Sequence, residues 1–225
     1  KIKGLETNVE VESNLFSFIR DKTIDTFLDT SEIELVYNLD LSDNLELDNV
    51  RDLFIVGLWT GLRISDLKRI NSFDFSTENI RILETEKTNV YVEIPIHKHL
   101  KSILIKRNGQ LPQMSDQHFN RKVKDVCEKA GITKVILGNL KDPTINRKVK
   151  NFYPKYKLIS SHTCRRSFIS NHYGKIPDKT LMSISAHKSV AQFLSYVKTS
   201  SEDQAKELSD LWKNEENQKK TKNKS

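Results

Sequence analysis

The sequence predicts a mainly α domain with a small antiparallel β-sheet, an α+β arrangement, and three observations lead there. Apolar residues recur at i, i+3 and i+4 through most of the span 26–213, one segment at 79–96 switches to period two, and glycines or short polar runs separate the segments. Residues 1–25 lack sustained periodicity and read as a linker or the remnant of a preceding domain. A first helix starts near residue 30, where Thr30 or Ser31 can cap and Glu32 and Glu34 suit the positive end of the helix dipole. Next comes LDNVRDLFIVGLW, in which Asp48 can cap and Val50, Leu53, Phe54, Gly57 and Leu58 mark a buried helix that Thr60 and Gly61 break. Arg63 opens a short helix with Ile64, Leu67 and Ile70 on one stripe. NIRILETE and VYVEIPI then alternate as strands of a hairpin, with Lys87 at its tip.

Helices follow at about 97–107 and 115–130, the second with Phe119, Val123, Val126 and Ala130 as its apolar stripe and Gly131 as its stop. Residues 133–158 are ambiguous: KVILG and YKLIS are candidate short strands around a basic loop containing Pro and Asn. SHTCRRSFISNHY, DKTLMSIS, SVAQFLSYVK and SEDQAKELSDLWK are helical, and residues 214–225 form a Lys-rich tail without apolar anchors, expected to be disordered.

With 225 residues and 26.1 kDa the chain can bury a substantial core. No apolar run approaches the roughly 20 residues that span a bilayer, and the start KIKGLETNVE has no apolar signal segment. Cys127 and Cys164 are the only cysteines and sit in helical stretches without metal-ligand or disulfide spacing, which fits a reducing, cytoplasmic setting. The net charge of +7 is unevenly distributed. Residues 1–75 hold 8 Lys+Arg against 15 Asp+Glu, whereas residues 76–225 hold 29 against 15. Such segregation suggests a polyanion-binding face opposite a solvated acidic one, with nucleic acid as the favoured partner.

His162 and Arg165 lie three apart just after Ser160 and Ser161, two candidate N-caps, and so share one face of a first helical turn. A helix N-terminus offers free N–H groups to phosphate, and arginine adds a planar fork. Taken alone, an HxxR pair is also common surface decoration. In order along the chain, however, stand T-G-L-R-I-S-D-L at 60–67, Lys87 on its hairpin, H-x-x-R at 162–165, S-A-H-K-S at 185–189 and Tyr196, nine residues after His187. These resemble the successive boxes of the tyrosine recombinase (phage integrase) family over roughly residues 26–213, and HTCRRSF and HKSVAQFLSYVK look most like integrases of conjugative and mobilisable transposons.

The resemblance implies the tyrosine recombinase catalytic-domain fold and a catalytic set of Arg63, Lys87, His162, Arg165, His187 and Tyr196. It implies a site-specific recombinase of a mobile element, with double-stranded attachment-site DNA as substrate. Tyr196 would attack the scissile phosphate to give a 3′-phosphotyrosine, with strand exchange and religation needing neither ATP nor metal. Arg63 and Arg165 would neutralise the non-bridging oxygens, Lys87 would protonate the leaving 5′ oxygen, His162 would handle the tyrosine proton, and His187 would hydrogen-bond the phosphate. A tyrosine ordinarily ionises at about pH 10, so it needs such help. Members of the family work as tetramers on DNA, and Leu208, Leu211 and Trp212 are candidates for docking on a neighbour. No cofactor and no membrane are implied, and a bacterial, nucleoid-associated location is.

Competing readings accompany each assignment. Arg63 could pair with Asp66, which the family reading makes a buttress of the arginine pair. Lys98 and Lys101 rival Lys87, and Tyr91, Tyr153 and Tyr173 rival Tyr196. His172 reads as structural, and His97, His99 and His118 as solvated. Arg166 and Lys188 would touch neighbouring phosphates. The family commonly has Gly before its second histidine, where this chain has Ala186; if that position needs a positive φ, alanine costs roughly 1 kcal/mol or more. Type IB topoisomerase-like relaxation and a non-catalytic DNA-binding module of the same fold are the alternative functions.

Overall fold

The computed structural model describes residues 25–70, 79–82, 85–87, 89, 91–198 and 209. The expected linker at 1–25, the helix at 201–213 with its docking residues and the tail at 214–225 lie outside them, apart from Asp25 and Ser209.

Helix α1, Thr30–Tyr37, is capped one residue earlier than expected, by Asp29. Asp29 Oδ1 accepts the Glu32 amide at 2.9 Å while Glu32 Oε2 accepts the Asp29 amide at 2.9 Å, a reciprocal box that neither Thr30 nor Ser31 could form with Glu32 at the third helical position. Helix α2, Leu45–Thr60, likewise starts before the expected Asp48, because Asn44 Oδ1 takes the Leu47 amide at 3.0 Å. This is the central helix. Leu47, Val50, Leu53, Phe54, Ile55, Val56 and Leu58 are buried around its circumference, as in a helix covered on all sides. At Gly57 a Cβ would lie 2.8 Å from Cys164 Sγ, so the glycine sets how closely the segment carrying Cys164 approaches.

Helix α3, Ile64–Leu67, follows at once, and strands β1, Asn79–Ile82, and β2, Val92–Pro95, pair antiparallel from Asn79↔Pro95 to Ile82↔Val92. Lys87 lies in their connection, as expected. Helices α4, Lys98–Lys106, and α5, Asp116–Lys129, match the expected ranges to within a residue or so, and Phe119, Val123, Val126 and Cys127 form the buried stripe of α5.

The ambiguous stretch resolves into a second hairpin. β3, Val135–Asp142, and β4, Arg147–Pro154, pair over eight residues, and this sheet is separate from the first. KVILG does start a strand, but YKLIS falls on a 3-10 turn, Lys155–Leu158, and the second strand is the basic RKVKNFYP. Arg147, Lys148, Lys150, Asn151 and Phe152 are all exposed, so neither face shows the apolar alternation that marks a half-buried strand.

Helices α6, Ser161–His172, α7, Asp178–Ile184, and α8, Val190–Leu194, complete the described chain. The expected helix SVAQFLSYVK is cut short, and Tyr196 stands just beyond its end. The main core lies around α2, and a smaller cluster of Phe168, Ile169, Leu181 and Phe193 joins α6 to α7 and α8. No helix among the described residues is long and apolar enough to cross a membrane.

Candidate active site

The site begins where α2 ends. Gly61 closes that helix at φ +64°, and a Cβ there would lie 2.4 Å from Phe168, so backbone conformation and packing both require glycine. The turn brings Arg63 to the N-cap of α3 and aims the Gly61 carbonyl at Arg165, whose Nη1 donates to it at 3.1 Å. Arg165 is 2% exposed and projects from α6 behind His162. At the start of α6, Ser160 donates its amide to Thr163 Oγ1 at 3.0 Å, and the Ser161 amide is taken by Asn120 Oδ1 at 2.7 Å.

His187 is placed by the end of α7. The Ala186 amide bonds to Ser183 O at 3.1 Å and the His187 amide to Met182 O at 2.9 Å, with Ala186 at φ +50°. That pattern is a Schellman ending, and the residue at its left-handed position is the expected glycine site. The left-handed conformation anticipated there is present, and His187 is held in the site nonetheless: Arg165 Nε lies 3.3 Å from its Nε2.

Arg63, Lys87, His162, Arg165 and Tyr196 line one cavity of about 550 Å³, together with Glu86, Asp116, Asn120, Ser161 and Gln192 among others. Tyr196 is half-buried, with its ring 5.0 Å from that of His187 and 5.5 Å below the Arg165 guanidinium carbon. Five of the six expected catalytic side chains therefore share a wall, and the sixth, His187, stands behind Arg165.

The electrostatics favour an anion. Arg63 Nη1 is buried without a hydrogen-bond partner among the described residues, an expensive state for a cation unless a ligand completes it. Of the acids at the wall, Asp116 is already paired with Lys68. Burial, then the Arg63 charge, pushes the Arg165 pKa down to about 9, which leaves the guanidinium charged at neutral pH. Desolvation at the cavity wall, followed by Arg166 and Lys87, holds His162 below the usual imidazole value, so its ring is a neutral proton acceptor. Burial and the Arg165 and Arg63 charges take His187 down to about 3.

The other singled-out residues take varied places. Asp66 is 1% exposed and accepts the Glu86 amide at 2.8 Å, so it anchors the hairpin turn beside Lys87, and its charge reaches Arg165 only from a distance. Arg166 pairs with Asp25 Oδ1 at 3.1 Å, and Lys188 is exposed. His99, expected in solvent, is buried, stacked on Tyr37 at 4.0 Å and 3.4 Å from Glu34; His97 stacks on Trp59 at 3.5 Å. His118 stays partly exposed, 3.3 Å from Glu46. Asn120 and Gln192 were not anticipated. Gln192 sits four residues before Tyr196, a helical spacing that could have signalled it, whereas nothing local marks Asn120.

Neither a family model nor a curated protein sequence matches the chain. Solved structures do. XerA recombinase superposes with a TM-score of 0.59 at 14% identity, over 83% of this chain and 63% of that one. The chain has the fold of a tyrosine recombinase catalytic domain. A lambda integrase dimer bound to a COC' core site gives 0.54 at 19% identity, over 77% of this chain and 59% of that one. The integrase of the Tn1549 transposon in complex with circular intermediate DNA gives 0.54 at 15%, over 83% and 67%. The recombinase-like chain thus spans less than two thirds of the length of the first two.

Proposed function

We propose that this chain is the catalytic part of a site-specific DNA recombinase, an integrase of a mobile element, with Tyr196 as nucleophile. The observation that carries the reading is the placement of Tyr196 against the Arg165 guanidinium, on a cavity wall that also holds Arg63, Lys87 and His162. A binding module needs positive charge but has no use for a tyrosine and a neutral histidine converging on its anion site.

A scissile phosphate in this cavity would lie between Arg63 and Arg165, whose planar forks meet its non-bridging oxygens as charge builds there. The Tyr196 oxygen forms a bond to phosphorus as the bond to the 5′ oxygen breaks. The phenol proton passes to His162, and the leaving oxygen takes a proton from Lys87. The 3′-phosphotyrosine conserves the energy of the phosphodiester, so attack by a 5′ hydroxyl on the same phosphorus reverses the step without ATP. Exchange of strands requires two duplexes, hence assembly of several copies on DNA. Lambda integrase has been crystallised as a tetramer bound to a Holliday junction, and self-assembly of this chain is proposed by analogy.

The test is a nicked suicide duplex carrying the attachment site, from which the cleaved end diffuses away and the covalent adduct accumulates. Wild-type protein should form a denaturation-resistant adduct, and Tyr196→Phe should form none while retaining its affinity for the duplex. An adduct that survives in Tyr196→Phe, or a wild type that binds and never cleaves, overturns the reading. Relaxation of supercoiled plasmid by protein that remains monomeric would point instead to a topoisomerase.

A further inference from the structure

Ser185 has no part in the mechanism above, yet it is completely buried at the end of α7 and touches the site through His187. Its Oγ lies 2.6 Å from Leu181 O and 2.8 Å from His187 Nδ1. Two oxygens 2.6 Å apart must share a hydrogen, and a carbonyl has none to give, so the Ser185 hydrogen points to Leu181. The serine oxygen can then only accept from the imidazole. His187 therefore carries its proton on Nδ1, and its Nε2 lone pair receives Arg165 Nε at 3.3 Å. Arg165 Nη2 is 3.0 Å from both ring nitrogens, which puts it off the in-plane axis of each and makes it a cation resting against the ring. The left-handed Ala186 is what lets side chains at 185 and 187 converge.

We infer that Ser185 is a positioning residue, which fixes the Nδ1–H tautomer of His187 so that His187 holds the Arg165 guanidinium by its Nε edge. Since Nη1 also donates to Gly61 O at 3.1 Å, the fork is fixed at two points and its remaining N–H groups serve the cavity that Arg165 lines. His187 then acts on the phosphate through Arg165. A neutral ring with its one hydrogen committed to Ser185 has none to donate to a phosphate oxygen, so the expected direct role of His187 is replaced. The inference rests on the recombinase reading for its consequence, while the tautomer itself does not depend on it.

The experiment uses the full chain labelled with 15N-histidine. Long-range 1H–15N correlation at neutral pH should show His187 protonated on Nδ1 in the wild type, lose that preference in Ser185→Ala, and recover it in Ser185→Thr, which keeps a hydroxyl. In single-turnover cleavage of the nicked duplex, Ser185→Ala should fall roughly tenfold, the worth of one buried hydrogen bond, at unchanged duplex affinity, and Ser185→Thr should restore the rate. A wild-type His187 protonated on Nε2 overturns the inference, as does Ser185→Ala cleaving at the wild-type rate. If the wild type shows the Nδ1–H ring and forms no adduct with DNA, the recombinase reading fails and the tautomer assignment stands.

Discussion

Three helices of this fold end in the same way, and the residue at the left-handed position differs in each. After α5 it is Gly131 at φ +81°, after α4 it is Asn108 at φ +50°, and after α7 it is Ala186 at φ +50°. Glycine and asparagine tolerate that region, whereas alanine brings Cβ against the carbonyl. The strain at Ala186 is balanced by the two backbone bonds of the Schellman ending and by the burial of His187 against Arg165. Ala186→Gly should remove about 1–2 kcal/mol of strain while adding about 0.5–1 kcal/mol of chain entropy to the unfolded state. The net expectation is a gain of about 0.5–1 kcal/mol in urea unfolding; a loss would mean that the alanine methyl, buried in the core, contributes more than its backbone costs. This residue stood out beforehand because the family that the sequence resembles commonly has glycine there. His99 did not, since only the folded chain brings Tyr37 and Glu34 to it.

At the scale of elements, the packing of α2 against α4 depends on charge as well as on apolar area. Asp52, 1% exposed, receives Arg51 Nε at 3.0 Å, Lys106 Nζ at 2.9 Å and Arg107 Nε at 2.7 Å, and Asp48 receives Lys106 at 2.7 Å and Arg107 at 2.6 Å. Asp48, anticipated as a cap, instead pairs with Arg51 three residues on and with Lys106 and Arg107, more than fifty residues away. Surface pairs contribute about 0–1 kcal/mol, and breaking a buried one costs about 3–5 kcal/mol. Asp52→Ala, which strands partly exposed cations, should fall between, at about 2 kcal/mol, read as a lower urea midpoint with unchanged m-value. Little or no change would show that solvent satisfies those cations. Helices α4 and α5 were legible because one apolar stripe decides each. The β3–β4 ribbon was not, because its stability comes from eight backbone pairings rather than from a buried face.

Over the whole molecule, several acids among the described residues of the first part are tied to basic residues far along the chain. Glu32 pairs with Lys155, Glu46 with Lys122, Asp48 with Lys106 and Arg107, and Asp25 with Arg166, so these acids offset individual basic residues of the later segments across the fold. At the cavity, Arg63 Nη1 is buried without a hydrogen-bond partner among the described residues. The histidines make the global stability depend on pH. His97 is lowered to about 4 and His187 to about 3, in both cases first by desolvation and then by neighbouring positive charge, from an ordinary 6.5. Both rings are neutral when folded and take up protons more readily when unfolded. Stability should therefore be flat above pH 6.5 and decline as the pH falls from 6.5 towards 4, where the unfolded chain binds the extra protons. Urea midpoints at pH 7.5 and 4.5 should differ in that direction, and the difference should shrink in His97→Gln; equal midpoints would place both rings in solvent. The sequence by itself determined the helices with one apolar stripe, the hairpin bearing Lys87 and the order of the motifs that resemble the recombinase boxes, because those signals reside in residue spacing, whereas the question of a left-handed residue at 186 came from the resemblance, in which glycine is common there. Only the tertiary structure decided which caps are used, which charges cancel and which histidine lines the cavity while the other stands behind Arg165, because each of these depends on partners brought together from distant parts of the chain.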